Sequence, residues 1–345
     1  MDTNAFKAAN IVRRFKMDDE KSEKTVQTEK QGLYYPPRDL VESSNVMAWM
    51  KKKGLKSESE LRAWCSANYV SFWDEMAKTY ADWFEPYKQA LHWKAPFAKW
   101  FMGGKINVAY NAVDRHAKSW RRNKLAYIFV GEPMGDVRKI TYYELYQQVN
   151  RFANALKAQG IKKGDRVGIY LPMIPELPVA MLACAKLGAI HVVVFSGFSA
   201  VAVRDRLQDC QPRILVTCDG SYRRGKPIAT KPQADEAIEG LQCIEKVVVV
   251  KRNGQETAMK AGRDVWYSDF VAGQSGSCES MPMDSADPLF ILYTAGAGGK
   301  PRGIVHTHAG MSIGTAFTTS WVFDIKDTDV YWSTADIGWI TGHSY

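Results

Sequence analysis

Several things are scarce in this sequence. No apolar run reaches the roughly 20 residues that a membrane-spanning helix needs, so no membrane span is expected. The N-terminus carries Asp2, Asp18, Asp19 and Glu20 and has no apolar signal core, which argues against secretory or organelle targeting. The six cysteines (Cys65, Cys184, Cys210, Cys218, Cys243 and Cys278) fit neither a zinc pattern nor a compact disulfide framework. Buried free thiols in a cytoplasmic protein are the expectation. No nucleic-acid-binding module and no internal repeat is legible.

What is present is a chain of 345 residues, 46% hydrophobic and 24% charged, as in ordinary globular proteins. That length accommodates two domains or one large α/β domain. The net charge of +9 suits anionic ligands. Clusters such as Lys51-Lys52-Lys53 and Lys162-Lys163 equally suit solvated faces. A nucleotide-like small ligand ranks above nucleic acid.

Three regions follow one another. Residues 1–32 are polar and of mixed charge, and are expected to be a mobile tail with at most a short amphipathic helix around 6–15. Residues 33–123 are helical and aromatic-rich. There Ser57 and Glu60 make a capping box. Leu61, Trp64, Cys65, Tyr69, Phe72, Trp73 and Met76 follow at helical spacing, as a packing face does. Gly103-Gly104 reads as a turn, and His116, with no visible partner, as structural.

Residues 124–345 alternate between strand and helix signals. Thr141 and Glu144 open a helix that Gly160 stops. Strands are predicted over 166–171, 190–195, 214–217 and 247–250, and helices over 176–187, from Ser199 to about 209, and over 234–241. This β-α-β-α order predicts an α/β fold with a mostly parallel sheet flanked by helices. Residues 251–286 break the pattern, with an exposed loop over 273–283. A helix over 308–320, capped by Thr307, and a strand over 329–334 are predicted beyond them.

One stretch concentrates the chemistry: Tyr293-Thr294-Ala295-Gly296-Ala297-Gly298-Gly299-Lys300-Pro301-Arg302-Gly303, between two short apolar runs. Glycine lets backbone N–H groups approach an anion, and successive N–H groups form a nest for phosphate oxygens. Lys300 and Arg302 add full charges. A Walker loop is excluded, because Thr294 stands where its first glycine belongs and Pro301 follows Lys300. A dinucleotide fingerprint is excluded because Pro301 takes the place of its third glycine. From composition alone, phosphate binding stands only a little ahead of a plain glycine hairpin. His306-Thr307-His308 lacks an acidic or cysteine partner and reads as a strand end and a helix cap rather than a metal site.

In open α/β sheets ligands bind beyond the carboxyl ends of the strands. Two further stretches qualify. Ser196-Gly197-Phe198-Ser199 follows one predicted strand; a phosphate turn and a plain strand-to-helix turn are equal readings of it. Asp219-Gly220-Ser221-Tyr222-Arg223-Arg224-Gly225-Lys226 follows another, and its cations beside a tyrosine suit a phosphate and a stacked base as well as a solvated loop.

The glycine stretch resembles the phosphate loop of AMP-forming adenylating enzymes, and its flanks look like acetyl-CoA synthetases. So does the entry segment Trp100-Phe101-Met102-Gly103-Gly104-Lys105-Ile106-Asn107-Val108-Ala109-Tyr110. The resemblance spans about residues 34–345. It implies that a short-chain carboxylate attacks the α-phosphate of Mg·ATP, giving an acyl-adenylate and pyrophosphate, and that the coenzyme A thiol then displaces AMP. Carried over, Thr294, Ala295, Gly296, Ala297, Gly298, Gly299 and Lys300 hold the ATP phosphates, with Lys300 catalytic. Phe195, Gly197, Arg223, Arg224, Gly225, Lys226 and Thr341 bind coenzyme A. Ile340 and Thr341 line the acyl pocket, and Asp336 and Trp339 are structural. Two departures stand out. Ala295, Ala297 and Gly298 replace hydroxyl residues of the family, each forfeiting a charged hydrogen bond of about 1.5–3 kcal/mol. The family's adenine contacts, magnesium-side glutamate, hinge and C-terminal lysine lie past the point matching Tyr345. The expectation is therefore an N-terminal, inactive part of a ligase; the alternative is a non-catalytic protein that binds coenzyme A or a nucleotide.

Overall fold

Five consecutive residues from Ile214 to Cys218 are buried, as are the four valines from Val247 to Val250. Strands like these, without polar alternation, need cover on both faces. A computed structural model, describing residues 36–296 and 299–345, provides it. Seven strands form the main sheet: β1 Arg166–Ile169, β2 Ile190–Val193, β3 Ile214–Cys218, β4 Lys246–Val250, β5 Asp264–Trp266, β6 Pro288–Thr294 and β7 Arg302–Thr307. Their order is β5-β4-β3-β1-β2-β6-β7. All neighbours pair in parallel except β6 and β7, which form an antiparallel hairpin around the glycine stretch.

The helices that cover the sheet are α1 Tyr142–Ala158, α2 Glu176–Leu187, α3 Ala200–Cys210, α4 Lys231–Ile238, α5 Tyr267–Val271, α6 His308–Val322 and α7 Ile340–Ser344. The period of two along each strand sorts the core into halves. Val216, Val248 and Val250 pack with Phe152 and Leu156 of α1 and Leu177 and Ala180 of α2. Leu215, Val247 and Val249 pack on the other side with Val203 and Leu207 of α3 and Ala234 and Ala237 of α4. Thr141 forms the expected capping box with Glu144 at the start of α1. Ser199 caps α3 by accepting from the Ala202 N–H.

Residues group into two compact units. Among the described residues, one comprises residues 36–67 with 320–328, the other 68–319 with 329–345. In the first, Trp49 packs between Trp64 and Trp321, with ring centroids 5.3 and 5.2 Å away. Asn45 donates its side-chain amide to the Ser320 carbonyl at 2.8 Å. At Glu58–Ala67 half of the expected capping box forms: Glu60 N–H donates to Ser57, but the Glu60 carboxylate accepts from Lys56 N–H, one residue early. The helical stripe breaks at Asn68, and a separate helix, Tyr69–Tyr80, buries Phe72 and Met76.

Several expectations need correction. Residues 329–334 form no strand; Val330 and Trp332 are 80% and 83% exposed, and strand propensity without a partner backbone builds no ladder. Residues 251–286 hold strand β5 and helix α5, whose few residues are too short to show a period. Residues Gln89–Lys94 and Phe97–Met102 pair as a hairpin inside the segment expected to be helical. The expected helix around 6–15 and tail over 1–32 lie outside the described residues. All six cysteines are free. Among the described residues no helix is long and apolar enough to cross a membrane.

Candidate functional site

The three candidate stretches follow the carboxyl ends of β2, β3 and β6, which run parallel in one sheet. At the end of β2, Phe195 and Phe198 meet edge to face, with ring centroids 5.4 Å apart and planes at 88°. Gly197 lies between them. The turn is braced from below by Tyr170, which follows β1 and is buried. Its hydroxyl lies 3.1 Å from the Ser196 carbonyl, 3.0 Å from the Phe198 carbonyl and 3.1 Å from the Gln233 side chain. Burial pushes this phenol up to about 12, so it stays protonated and available as a donor.

The segment after Asp336 is built onto the same turn. A side chain at Gly338 would strike the Phe195 backbone, its Cβ falling 2.8 Å from Cα and 2.9 Å from N. Only glycine permits that approach. The neighbouring Trp339 ring lies 6.1 Å from Phe195 and 6.3 Å from Phe198. Asp336 accepts from the Gly338 N–H at 2.7 Å and closes the turn that precedes α7, while burial raises its pKa. Ile340 and Thr341 open α7 and are exposed.

Beyond β3 the basic stretch is a hairpin rather than a loop: Gly220–Arg223 pairs with Lys226–Ala229. Arg224 and Gly225 form its two-residue turn with φ of 53° and 76°, as a tight hairpin of this twist requires. Arg223, Arg224 and Lys226 are exposed. The Gly225 N–H donates to the Glu132 carboxylate. Tyr222 lies under the Arg252 guanidinium at 5.2 Å. The hairpin is held at its root by Asp219, which is 1% exposed. One carboxylate oxygen accepts from the N–H groups of Gly220 at 2.6 Å, Arg252 at 2.7 Å and Asn253 at 3.2 Å, and the other from Gly254 at 2.8 Å.

Beyond β6 the glycine stretch turns back into β7. Thr294 pairs with Arg302 at the last rung. Gly296 closes on Lys300: a Cβ there would fall 2.1 Å from the Lys300 carbonyl oxygen, and its own carbonyl accepts from Gly299 N–H at 3.1 Å. Ala295, Gly299 and Lys300 are exposed, and Ala297 and Gly298 lie outside the described residues. The tip thus offers a backbone cradle and an accessible ammonium, a fit for phosphate oxygens. At its base Tyr293 donates to the Asp209 carboxylate, which together with burial raises the phenol pKa. Arg206 of α3 connects this base to the first turn, 4.4 Å from the Phe198 ring and 5.9 Å from Tyr293.

A family model for AMP-binding enzymes matches residues 113–345, and one for the acetyl-coenzyme A synthetase N-terminus matches residues 58–112. The chain belongs to the AMP-binding enzyme family. It is similar to acetyl-coenzyme A synthetase of Methanothrix thermoacetophila, 60% identical over 94% of this chain and 50% of that protein. It is 48% identical to that of Rubrobacter xylanophilus, over 90% of this chain and 47% of the relative. The fold matches a solved acetoacetyl-CoA synthetase from Streptomyces lividans with a TM-score of 0.82 at 26% identity, covering 89% of this chain and 48% of that one. The chain spans about half the length of the curated relatives it matches.

Within this member of the AMP-binding enzyme family, Phe195 and Gly197 come together with the segment carrying Ile340 and Thr341, and Arg206 ties their turn to the base of the glycine hairpin. Arg223, Arg224, Gly225 and Lys226 stand apart, beyond β3, with β1 between that strand and β2. Residue-by-residue reading missed Asp219, Tyr170 and Arg206. Asp219-Gly220 is a turn dipeptide, and that was the one available signal. Among the described residues no group of three His, Cys, Asp or Glu side chains is arranged to hold a metal ion. His308 is buried and accepts from the Val108 N–H, a structural contact.

Proposed function

We propose that this chain supplies the coenzyme turn, the phosphate hairpin and one acyl wall of an AMP-forming acetyl-CoA synthetase. The observation that carries it is the close packing of Gly338 on Phe195. That contact sets the acyl segment directly against the turn assigned to coenzyme A, where carboxylate and thiol have to meet. The identity to acetyl-coenzyme A synthetases supports the same reading.

In this reading a short-chain carboxylate attacks the α-phosphate of Mg·ATP. Lys300 and the N–H groups around Gly296 and Gly299 neutralise the departing pyrophosphate. The coenzyme thiol, brought past Phe195, Gly197 and Thr341, then displaces AMP from the acyl-adenylate. Arg223, Arg224, Gly225 and Lys226 hold the coenzyme's nucleotide end, and Ile340 limits the acyl chain.

One observation favours a second reading, a non-catalytic protein that binds coenzyme A. Ala295 puts a methyl group where the family has a hydroxyl. The deciding experiment isolates the native protein from its source cells. It then measures acetate-dependent exchange of labelled pyrophosphate into ATP, beside calorimetric binding of coenzyme A. Exchange supports the ligase. Coenzyme binding that Arg223→Ala abolishes, with no exchange, overturns it in favour of the binding protein.

A further inference from the structure

Behind the acyl segment lies a buried stack of rings that takes no part in the reading above. His191 sits mid-strand in β2 and is buried. The ring of His343 in α7 meets it edge to edge, nearly coplanar, with centroids 5.2 Å apart and planes at 9°. Phe290 of β6 is 4.0 Å from His343, and His306 of β7 stacks on Phe290 at 4.4 Å.

The polar atoms of this stack form a directed chain. Nδ1 of His343 is 3.1 Å from the Ile337 carbonyl oxygen, and Nε2 of His343 is 3.0 Å from Nε2 of His191. A carbonyl only accepts, so Nδ1 of His343 carries a proton. Burial lowers the pKa of both rings, that of His343 to about 4, so each ring carries a single proton near neutrality. Nε2 of His343 is then a bare acceptor, and the proton between the rings belongs to Nε2 of His191. That leaves Nδ1 of His191 without a proton. The same atom is buried with no hydrogen-bond partner among the described residues, which an unprotonated nitrogen tolerates better than a stranded N–H would.

The end of this chain matters because Ile337 immediately precedes Gly338, Trp339, Ile340 and Thr341. Local hydrogen bonds also fix that turn: Asp336 accepts from Gly338 N–H, the Asp336 carbonyl from Trp339 N–H, and the Trp339 carbonyl from His343 N–H; Ile337 N–H donates to the Met173 sulfur at 3.3 Å, so the Ile337 carbonyl is the turn's second long-range tie. The histidine relay runs from a strand of the main sheet to the backbone of the turn. We propose that His191 is a positioning residue for the acyl wall, acting through His343 on the Ile337 carbonyl. The inference rests on the reading of Ile340 and Thr341 as that wall.

The test uses this chain labelled with 15N-histidine, its six histidines assigned from single substitutions. Long-range proton–nitrogen spectra near pH 7.5 are expected to show His343 protonated at Nδ1 and His191 at Nε2. His191→Gln keeps a donor near the Nε2 position, and His191→Leu removes it. In His191→Leu, His343 is expected to exchange between tautomers, and the amides of residues 337–343 to exchange with solvent about fivefold faster, as the loss of one hydrogen bond implies. His191→Gln is expected to restore both. His343 protonated at Nε2 in the unmodified chain, or unchanged spectra and exchange in a folded His191→Leu, would overturn the relay. If His191→Leu does not fold, the unmodified chain and His191→Gln still decide. Acetate titration of the Ile340 and Thr341 methyl signals tests the acyl reading separately. Methyls that do not move overturn that reading while the tautomers report on the relay.

Discussion

The basic hairpin beyond β3 and the glycine hairpin beyond β6 stand at the same end of one sheet and are held by opposite means. The first has its anchor inside the protein: Asp219, buried, accepts four backbone N–H groups at the root of the hairpin. Among the described residues, the second has its ladder, Tyr293 against Asp209 and Arg206 at its base, and one backbone bond from Gly299 to Gly296 near its tip. An anchored loop holds its shape before a ligand arrives, so less ordering cost is left for binding. The basic hairpin, proposed here to hold the coenzyme, is thus tied to the protein interior through a buried carboxylate, and the glycine hairpin, proposed here to hold phosphate, is tied through its own ladder and base.

The comparison can be broken most severely at Asp219. Asp219→Ala takes the shared acceptor from four backbone N–H groups, that of buried Gly220 among them, and should cost about 2–4 kcal/mol of unfolding free energy, read by urea denaturation. Asp219→Asn, which keeps one acceptor oxygen, should fall in between. A stable Asp219→Ala would remove the anchored side of the comparison.

Acid should separate the two hairpins next. His191, His306 and His308 lie on or beside β2 and β7, which frame the glycine hairpin, and burial lowers all three pKa values. His308 is fully buried and lowered to about 4 from 6.5, with Asp287 opposing and Lys163 adding to the shift. The unfolded chain therefore binds more protons between these values, so stability is full above pH 6.5 and falls as pH drops towards 4, by at most about 3 kcal/mol for this group. Hydrogen exchange at pH 5 should accelerate over residues 288–307 more than over 214–229. Equal acceleration would put the weakness elsewhere.

Restoring a hydroxyl should strengthen the glycine hairpin. Ala295→Ser is expected to improve pyrophosphate binding by about 1.5–3 kcal/mol, or roughly tenfold or more, by calorimetry, without altering coenzyme affinity. The smallest effect is expected for Tyr293→Phe. Loss of its bond to Asp209 should cost about 1 kcal/mol and speed exchange at Ala295 and Gly296, leaving the Arg223–Lys226 hairpin untouched.

Much of this was legible because local chemistry and fold agreed. The capping box at Thr141 and the unbroken valines of β4 each named their element before its neighbours were known. The glycine hairpin was legible from two apolar runs and the residues between them. What stayed hidden depends on long-range partners. Asp219 gains its role from N–H groups of Arg252, Asn253 and Gly254, which are more than thirty positions away. Tyr170 gains its role from a turn after another strand, and His191 from a ring 152 positions distant. Short elements such as β5 carry too few residues for any period to emerge.

The flush contact of Gly338 on Phe195 also bears on how this site can change. With backbone against backbone, the segment proposed as the acyl wall has no room to retreat without dragging the turn proposed for the coenzyme with it. On that proposal, a lineage adapting to larger acids is confined to trimming side chains, Ile340 first, while the main-chain path stays fixed. Variation in acyl choice among proteins of this architecture should accordingly be found in the volume of one or two residues, with the glycine preserved.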